Sequence, residues 1–330
     1  MKKLITLTIC ALIGMTAYGA TVQRTILSHK GQLTTYDANH WKDAINDAVA
    51  GDTVYFTSGV FGDGTADDNL VIDKVVTLIG AGVAESDASF RDIAAYDGCA
   101  TTGASTVLAT NITIAIPGSP RLKSTLMEGF VVPSYYGFEP SVTISEPVTD
   151  LIIKRCQFGE YLRATAKVKG LVLEGCSVGR LVVDSNMENP DVHNCLVGNL
   201  YANAEGIEYT NCVFYGIEGA ANCTFENCIM NSNRGNPDYC TYVNCLYLNW
   251  VSFGDHNSTE GCWAIDDVNL TESQLQSGGY IGTDGTVVGP LGGPAPFTLI
   301  PSHPYVELSS VTYSKSTKKL NVKVTVKKGK

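Results

Sequence analysis

Cysteines recur through the middle of this chain at a spacing that few folds can accommodate. Cys156, Cys176, Cys195, Cys212, Cys228, Cys245 and Cys262 follow at intervals of 20, 19, 17, 16, 17 and 17 residues, in the contexts KRCQF, EGCSV, HNCLV, TNCVF, ENCIM, VNCLY and EGCWA. Three positions before the cysteine stand Ile153, Leu173, Val192, Tyr209, Phe225 and Tyr242; two after it stand Phe158, Val178, Val197, Phe214, Met230 and Tyr247. Five after it come Tyr161, Leu181, Leu200, Ile217 and Trp250, interrupted by Asn233. Four repeats carry asparagine immediately before it, at Asn194, Asn211, Asn227 and Asn244.

A period this short, with several apolar columns, implies one coil of short strands and turns per repeat. A single coil cannot bury its apolar side chains, whereas a stack makes a continuous core, with like residues about 4.8 Å apart. Asparagines in register at a corner can bond along their column and to bent backbone. A leucine-rich repeat needs a leucine spacing that is absent here, and a propeller blade needs about forty residues. The pattern predicts an all-β chain folded as a right-handed parallel β-helix.

The flanks extend this reading. Trp41, Ala44, Ile45, Ala48 and Val49 form one apolar helical face, with Asn39 or His40 to cap its start and Gly51 to end it. Such a helix, near 40–50, would cover the open edge of the first coil. GDTVYF, NLVIDKVVTLIGAG, STVLATNITIAI and LMEGFVV are strand-like runs that follow it. At the far end GGPAPFTLIPSHP reads as a proline-rich extended crossing, and strands around Tyr305–Tyr313 and Leu320–Lys327 as a closing β-hairpin with edge lysines. The predicted organisation is a signal peptide at 1–19, the β-helix over 20–290, and the crossing and hairpin over 291–330.

Lys2 and Lys3, the apolar run Leu4 to Met15, and Ala17, Gly19 and Ala20 make the start an export signal, with Cys10 buried in its apolar run. That run is too short for a membrane span, so the expectation is a secreted, extracellular or cell-surface monomer. The formal charge is −10; less the seven lysines of the last twenty residues and the two of the signal, the body carries −19. Such a field repels phosphate backbones and excludes nucleic acid as a partner. It also disfavours bare polyanionic glycans unless calcium bridges the two.

At these residues the chain resembles secreted pectin-lyase-like β-helix proteins of Bacteroidetes-type bacteria. WKDAINDAVAGDTVYFTSGVF with LVIDKVVTLIGAG is similar to their helix-capped opening segment, the repeated NC corners to their central coils, and LTESQLQSGGYIGTDGTVVG through KLNVKVTV to their closing module. The resemblance implies fold and export. It implies no single activity, because a fold hosts many.

The residue inventory separates two functional classes. A polygalacturonase-type site would hold spaced aspartates with histidine and basic partners. Asp67–Asp68 and Asp266–Asp267 lack those partners and read as turns. A calcium-dependent lyase needs outward acidic ligands and a basic residue near the sugar α-proton. Glu160, Arg163, Arg180 and Asp184 are the outward candidates on neighbouring coils, equally readable as a solvated surface. Tyr135 and Tyr136, in the loop-like PSYYGFEP, are candidates for stacking on sugars, whereas Tyr161 and Trp250 read as core. Cys223, Cys228, Cys240 and Cys245 have a spacing open to zinc, but small buried side chains explain them as well. An exported protein permits disulfides, with Cys223–Cys240 the first pairing to expect and the long column mostly free. The five histidines are scattered, GAG at 80–82 is a turn, and no phosphate loop, dinucleotide fingerprint or nucleophile elbow occurs. The expectation is a non-catalytic glycan-binding, adhesive or scaffolding protein without cofactor. The alternative is a polysaccharide lyase or glycoside hydrolase, with calcium if a lyase.

Overall fold

The computed structural model describes residues 23–65, 67–82, 105–122, 125–134, 141–232, 237–254 and 256–298, and the backbone of strands at 305–314 and 319–327. The signal segment therefore lies outside the described residues, as do Tyr135, Tyr136, Cys10 and Cys99.

The short strands are all-β coils stacked as a parallel solenoid. One sheet of twelve strands begins with the antiparallel strands Gln32–Asp37 and Arg24–His29 and runs through Thr53–Phe56 to Ser258–Glu260. A second sheet has thirteen strands, and a third has three, at Val148–Thr149, Val168–Lys169 and Met187–Glu188. From Thr53–Phe56 onward the partners in the first sheet are parallel, each the same segment of the next coil. The column read as core is core: Ile153, Leu173, Val192, Tyr209, Phe225 and Tyr242 have no exposed surface. Tyr209, Phe225 and Tyr242 stack with ring centroids 5.1 Å apart, one coil spacing. The runs predicted between 53 and 132 form strands in the same stack.

The residue before each cysteine adopts a left-handed conformation. Its φ is +51° at Arg155, +53° at Asn194, +51° at Asn211, +53° at Asn227, +48° at Asn244, +62° at Gly175 and +63° at Gly261. That region costs an ordinary L residue roughly 1–2 kcal/mol, and asparagine and glycine least, which accounts for six of the seven choices. The cysteine then serves the corner. Cys195 Sγ donates to the His193 carbonyl at 3.2 Å, and Cys212 Sγ to the Thr210 carbonyl at 3.1 Å. The same sulfurs accept from the backbone of the coil before, Cys176 N to Cys195 Sγ and Cys195 N to Cys212 Sγ, both at 3.4 Å. A thiol is small enough for the column and both donates and accepts weakly.

Three expectations need correction. The asparagine amides do not bond along their column. Asn194 Nδ2 donates to the carbonyls of Pro290 (3.0 Å) and Gly292 (2.7 Å), and Asn227 exchanges bonds with Thr283 at 3.0 Å. The crossing thus runs back over the corners, from Asn227 to beside Gly175, where the Thr298 carbonyl sits. Cys223 and Cys240 are separate thiols, because in-register parallel neighbours point their Cα–Cβ bonds the same way and hold the Cβ atoms farther apart than a disulfide tolerates. The four cysteines read as open to zinc do not converge; among the described residues no group of three or more His, Cys, Asp or Glu is placed to hold a metal. The helix spans Trp41–Asp47 with Trp41, Ala44 and Ile45 buried, but His40 makes no side-chain cap and Val49 is half exposed. Asp37 instead holds the Asn39 amide (3.0 Å) and the His40 ring (2.8 Å), and the helix ends as Ala48 turns extended.

Beside the coils, Leu275 of the helix Glu272–Ser277 packs with Val287 and Val288 against Leu196, Val213, Ile229 and Leu246. Tyr305–Ser314 and Lys319–Lys327 pair antiparallel. No helix among the described residues is long and apolar enough to cross a membrane.

Two outcomes follow from the corner. Asn244→Val should lower the urea midpoint by the equivalent of about 1–2 kcal/mol while Asn244→Gly stays near the parent; equal effects would show that the left-handed corner is not the constraint. Thiol counting on denatured, unreduced protein should find all nine described cysteines reduced. In native protein Cys262 should react first, since it alone of the nine is not fully buried. A recovered Cys223–Cys240 disulfide would contradict the first expectation.

Candidate functional site

The second sheet bends where glycines stack. A Cβ at Gly179 would lie 2.1 Å from the Gly159 carbonyl oxygen, and one at Gly198 2.5 Å from that of Gly179, so only glycine lets successive coils close here. Strand Gln157–Ala164 carries one extra residue at this bend: Phe158 pairs with Val178, but the next partners are Tyr161 and Arg180. The bulge pushes Tyr161 out of the apolar column, whose true members are Leu162, Leu181 and Leu200. Bulges re-aim side chains in this way. Tyr161 is therefore half-buried beside the bend rather than core.

Three of the predicted residues meet around Tyr161. Glu160 Oε1 accepts from Ser134 Oγ at 2.8 Å, and its Oε2 is 3.2 Å from Arg180 Nη1. Arg180 donates to the Tyr161 hydroxyl at 3.1 Å, with its guanidinium 5.0 Å from the ring centroid. The Arg163 guanidinium stands 6.0 Å from the same ring, and its Nε donates to Thr143 Oγ1 at 3.4 Å. Such cation–π contacts hold a guanidinium without neutralising it. Arg163 is exposed and, among the described residues, has no carboxylate within ion-pair distance. Asp184 does not join them: its Oδ1 accepts from Asn186 N at 2.8 Å and closes a local turn.

Trp250 also departs from its predicted place in the core. It is 69% exposed, because the chain turns directly after Leu248 with Val251 N bonded to the Leu248 carbonyl. The aspartate pairs hold turns and neighbours, but Asp68 has a basic partner, Lys42, where the sequence reading gave it none. Asp68 binds Lys42 and the Asp63 amide, Asp266 binds Asn249, and Asp267 accepts from Asn269 N at 3.0 Å.

A second charged group escaped the sequence reading. Lys154, Glu174 and His193 are in register on the outer face of the first sheet. Lys154 Nζ donates to Glu174 Oε2 at 2.6 Å, His193 Nε2 is 3.7 Å from that oxygen, and His193 Nδ1 is 2.8 Å from Asp191 Oδ1. Hydrogen bonds to Asp191 and Glu174 raise His193 to about 10, and the His193 and Lys154 bonds pull Glu174 down to about 2. The signal was present: each residue lies two before a column cysteine, so these scattered residues form one outward column. At neutral pH both are fully ionised and tied to partners, whereas an acid or base catalyst works best near the operating pH.

No family model, curated protein or solved structure matches this chain.

The two shifts bracket a pH window. A carboxylate held low stabilises the fold above its ordinary range and loses that contribution as pH falls toward 2; an imidazole held high stabilises below its ordinary value and loses it as pH rises through 10. Glu174→Gln should therefore lower the melting temperature most between about pH 5 and 6, with the gap closing toward pH 2. A pH-independent gap would contradict the ion chain.

Proposed function

We propose that this chain is an exported, non-catalytic right-handed parallel β-helix that binds glycans outside the cell or at its surface and serves as an adhesive or scaffolding element. The carrying observation is the Glu160–Tyr161–Arg163–Arg180 cluster. Its donors and acceptors are fixed on a bend that glycine stacking makes close-packed, and Arg163 is exposed and, among the described residues, without a carboxylate partner. Fixed hydrogen-bonding groups on rigid elements are what polar ligand recognition requires. Glycosidic hydrolysis needs two carboxyl groups flanking the bond, and among the described residues Glu160 is the one carboxylate of this cluster, engaged by Ser134 and Arg180.

The acidic body favours neutral over polyanionic glycans. The same reading takes the helix Trp41–Asp47 as cover for the first coil and the C-terminal strand pair as a closing piece. The right-handed winding follows the near-universal hand of parallel crossovers. The lyase or hydrolase alternative draws on family resemblance alone.

Incubation of mature protein with neutral and acidic polysaccharides, with calcium and with chelator, separates the classes. Retention of a neutral polysaccharide without new chain ends by mass spectrometry is expected, with Arg163→Ala weakening binding by about tenfold, the effect of losing one charge-assisted hydrogen bond. New chain ends would overturn the non-catalytic reading, and retention of nothing would remove glycan binding.

A further inference from the structure

Of the nine described cysteines, Cys223 and Cys240 stand outside the long column, on another turn of the coil. Each directly follows a left-handed residue, Asn222 (φ +50°) and Tyr239 (φ +52°). Ala221 bridges to Asp238 and Thr224 pairs with Thr241, so the two cysteines are direct partners on successive coils. Ile207 precedes them in this row and Asn257 follows, so the row ends in a pair of sulfurs between two residues of other types. Both cysteines are buried, while Tyr239 beside Cys240 is 59% exposed. The pair therefore lies just beneath the surface.

The sulfurs of this pair are less engaged than those of the column. Cys195, Cys212 and Cys262 each accept an amide of the coil before, whereas the Cys240 amide donates to Asn257 Oδ1 at 2.7 Å. Cys223 donates to the Ala221 carbonyl at 3.3 Å and Cys240 to the Asp238 carbonyl at 3.5 Å. Alongside run Tyr209, Phe225 and Tyr242, two residues further on in each strand. The Tyr209 and Tyr242 hydroxyls are fully buried, and neither has a hydrogen-bond partner among the described residues. A buried donor without an acceptor calls for an explanation. Burial and then Cys223 raise the Tyr209 phenol, and burial and then Cys240 raise that of Tyr242. The ionisable group that each phenol feels most is thus a sulfur of this pair.

Equivalent atoms of successive coils repeat at about 4.8 Å, too far for a sulfur–sulfur bond of about 2.05 Å. Two metal–thiolate bonds in line, at the roughly 2.3 Å that zinc thiolates show, span about 4.6 Å. Thiolates select soft ions such as copper(I), which accept two ligands in line where structural zinc takes four. We propose that Cys223 and Cys240 bind one soft monovalent metal ion, copper(I) or silver(I), between their sulfurs, with the Tyr209 and Tyr242 hydroxyls donating to the thiolates. Each thiol gives up its proton to solvent and its bond to the carbonyl, two sulfur–metal bonds form, and no oxidation state changes. The unit carries one negative charge, which burial makes costly unless it is hydrogen-bonded. The two idle phenol donors answer that charge, as outer-shell partners do at metal sites. The hydrogen bond with Cys240 already holds Cys223 down to about 7, so the first proton leaves near neutral pH. The site is independent of the glycan-binding reading.

Silver(I) nitrate titrated into reduced, chloride-free Cys262→Ser protein tests it, the substitution removing the one described thiol that is not fully buried. Calorimetry and native mass spectrometry should find one tightly held ion per chain, with two protons released on binding. X-ray absorption should find two sulfur neighbours in line. Cys223→Ser and Cys240→Ser should each abolish tight binding. Tyr242→Phe should weaken the ion by about tenfold, the effect of losing one charge-assisted hydrogen bond. It should leave the melting temperature of metal-free protein at or above the parent's, since the hydroxyl it removes is unpaired. Tight binding that survives Cys223→Ser, three or more sulfur neighbours, or an affinity untouched by Tyr242→Phe would overturn the site. Silver held no more tightly than by free cysteine would overturn it too. Should the serine variants fail to fold, the sulfur count and Tyr242→Phe decide the matter.

Discussion

Turning a strand through a corner with a single residue leaves backbone carbonyls and amides facing inward with no ladder to join. In this protein a left-handed residue makes the turn and the cysteine after it satisfies the groups the turn exposes, from Arg155–Cys156 to Gly261–Cys262. The sulfur donates within its own coil and accepts from the coil before, so the corner and the stacking register are secured by the same atom. A bulkier side chain would separate the coils, and a purely apolar one would leave the corner carbonyl unpaired. The second row of left-handed residues, at Asp150, Gly170, Asn189, Gly206, Asn222 and Tyr239, turns the coil on its other side.

With register secured, the outer surface becomes a lattice whose rows are set by phase within the coil. The corner row carries the asparagines, and the closing segment binds there rather than at the end of the stack. Proline at 290, 294 and 296 suits that segment, since it runs through turns and bends, not the extended crossing expected, and proline has no amide to leave unpaired. The next outward row of the first sheet carries the Lys154–Glu174–His193 chain. The bend of the second sheet carries the arginines, asparagines and Trp250. A repeat that specifies only its core leaves these rows free to vary, which is how a solenoid acquires a surface without changing its fold.

Much of the fold was legible because the interior repeats. The cysteine spacing and the columns around it predicted the coils, their order and their buried residues down to single positions. What was not legible depended on events inside one coil. The bulge at Glu160 displaced Tyr161 from the column to which counting from Cys156 had assigned it. The turn after Leu248 exposed Trp250. The destination of the asparagine amides depended on a segment 56 to 98 residues away in sequence. Of the candidate site, Glu160, Arg163 and Arg180 came together as outward neighbours, whereas Asp184 was lost to its own turn. The Lys154–Glu174–His193 chain was readable from phase, but the histidines were counted without it.

The proposed binding surface and the charged chain lie on different sheets, so the location of a bound ligand discriminates between them. The most direct measurement is a crystal structure of the mature protein soaked with a neutral oligosaccharide cut from the polysaccharide it retains. Density at the bend of the second sheet, in contact with Arg163 and Arg180, is the predicted result. Density on the first sheet beside Glu174 and His193 would contradict it.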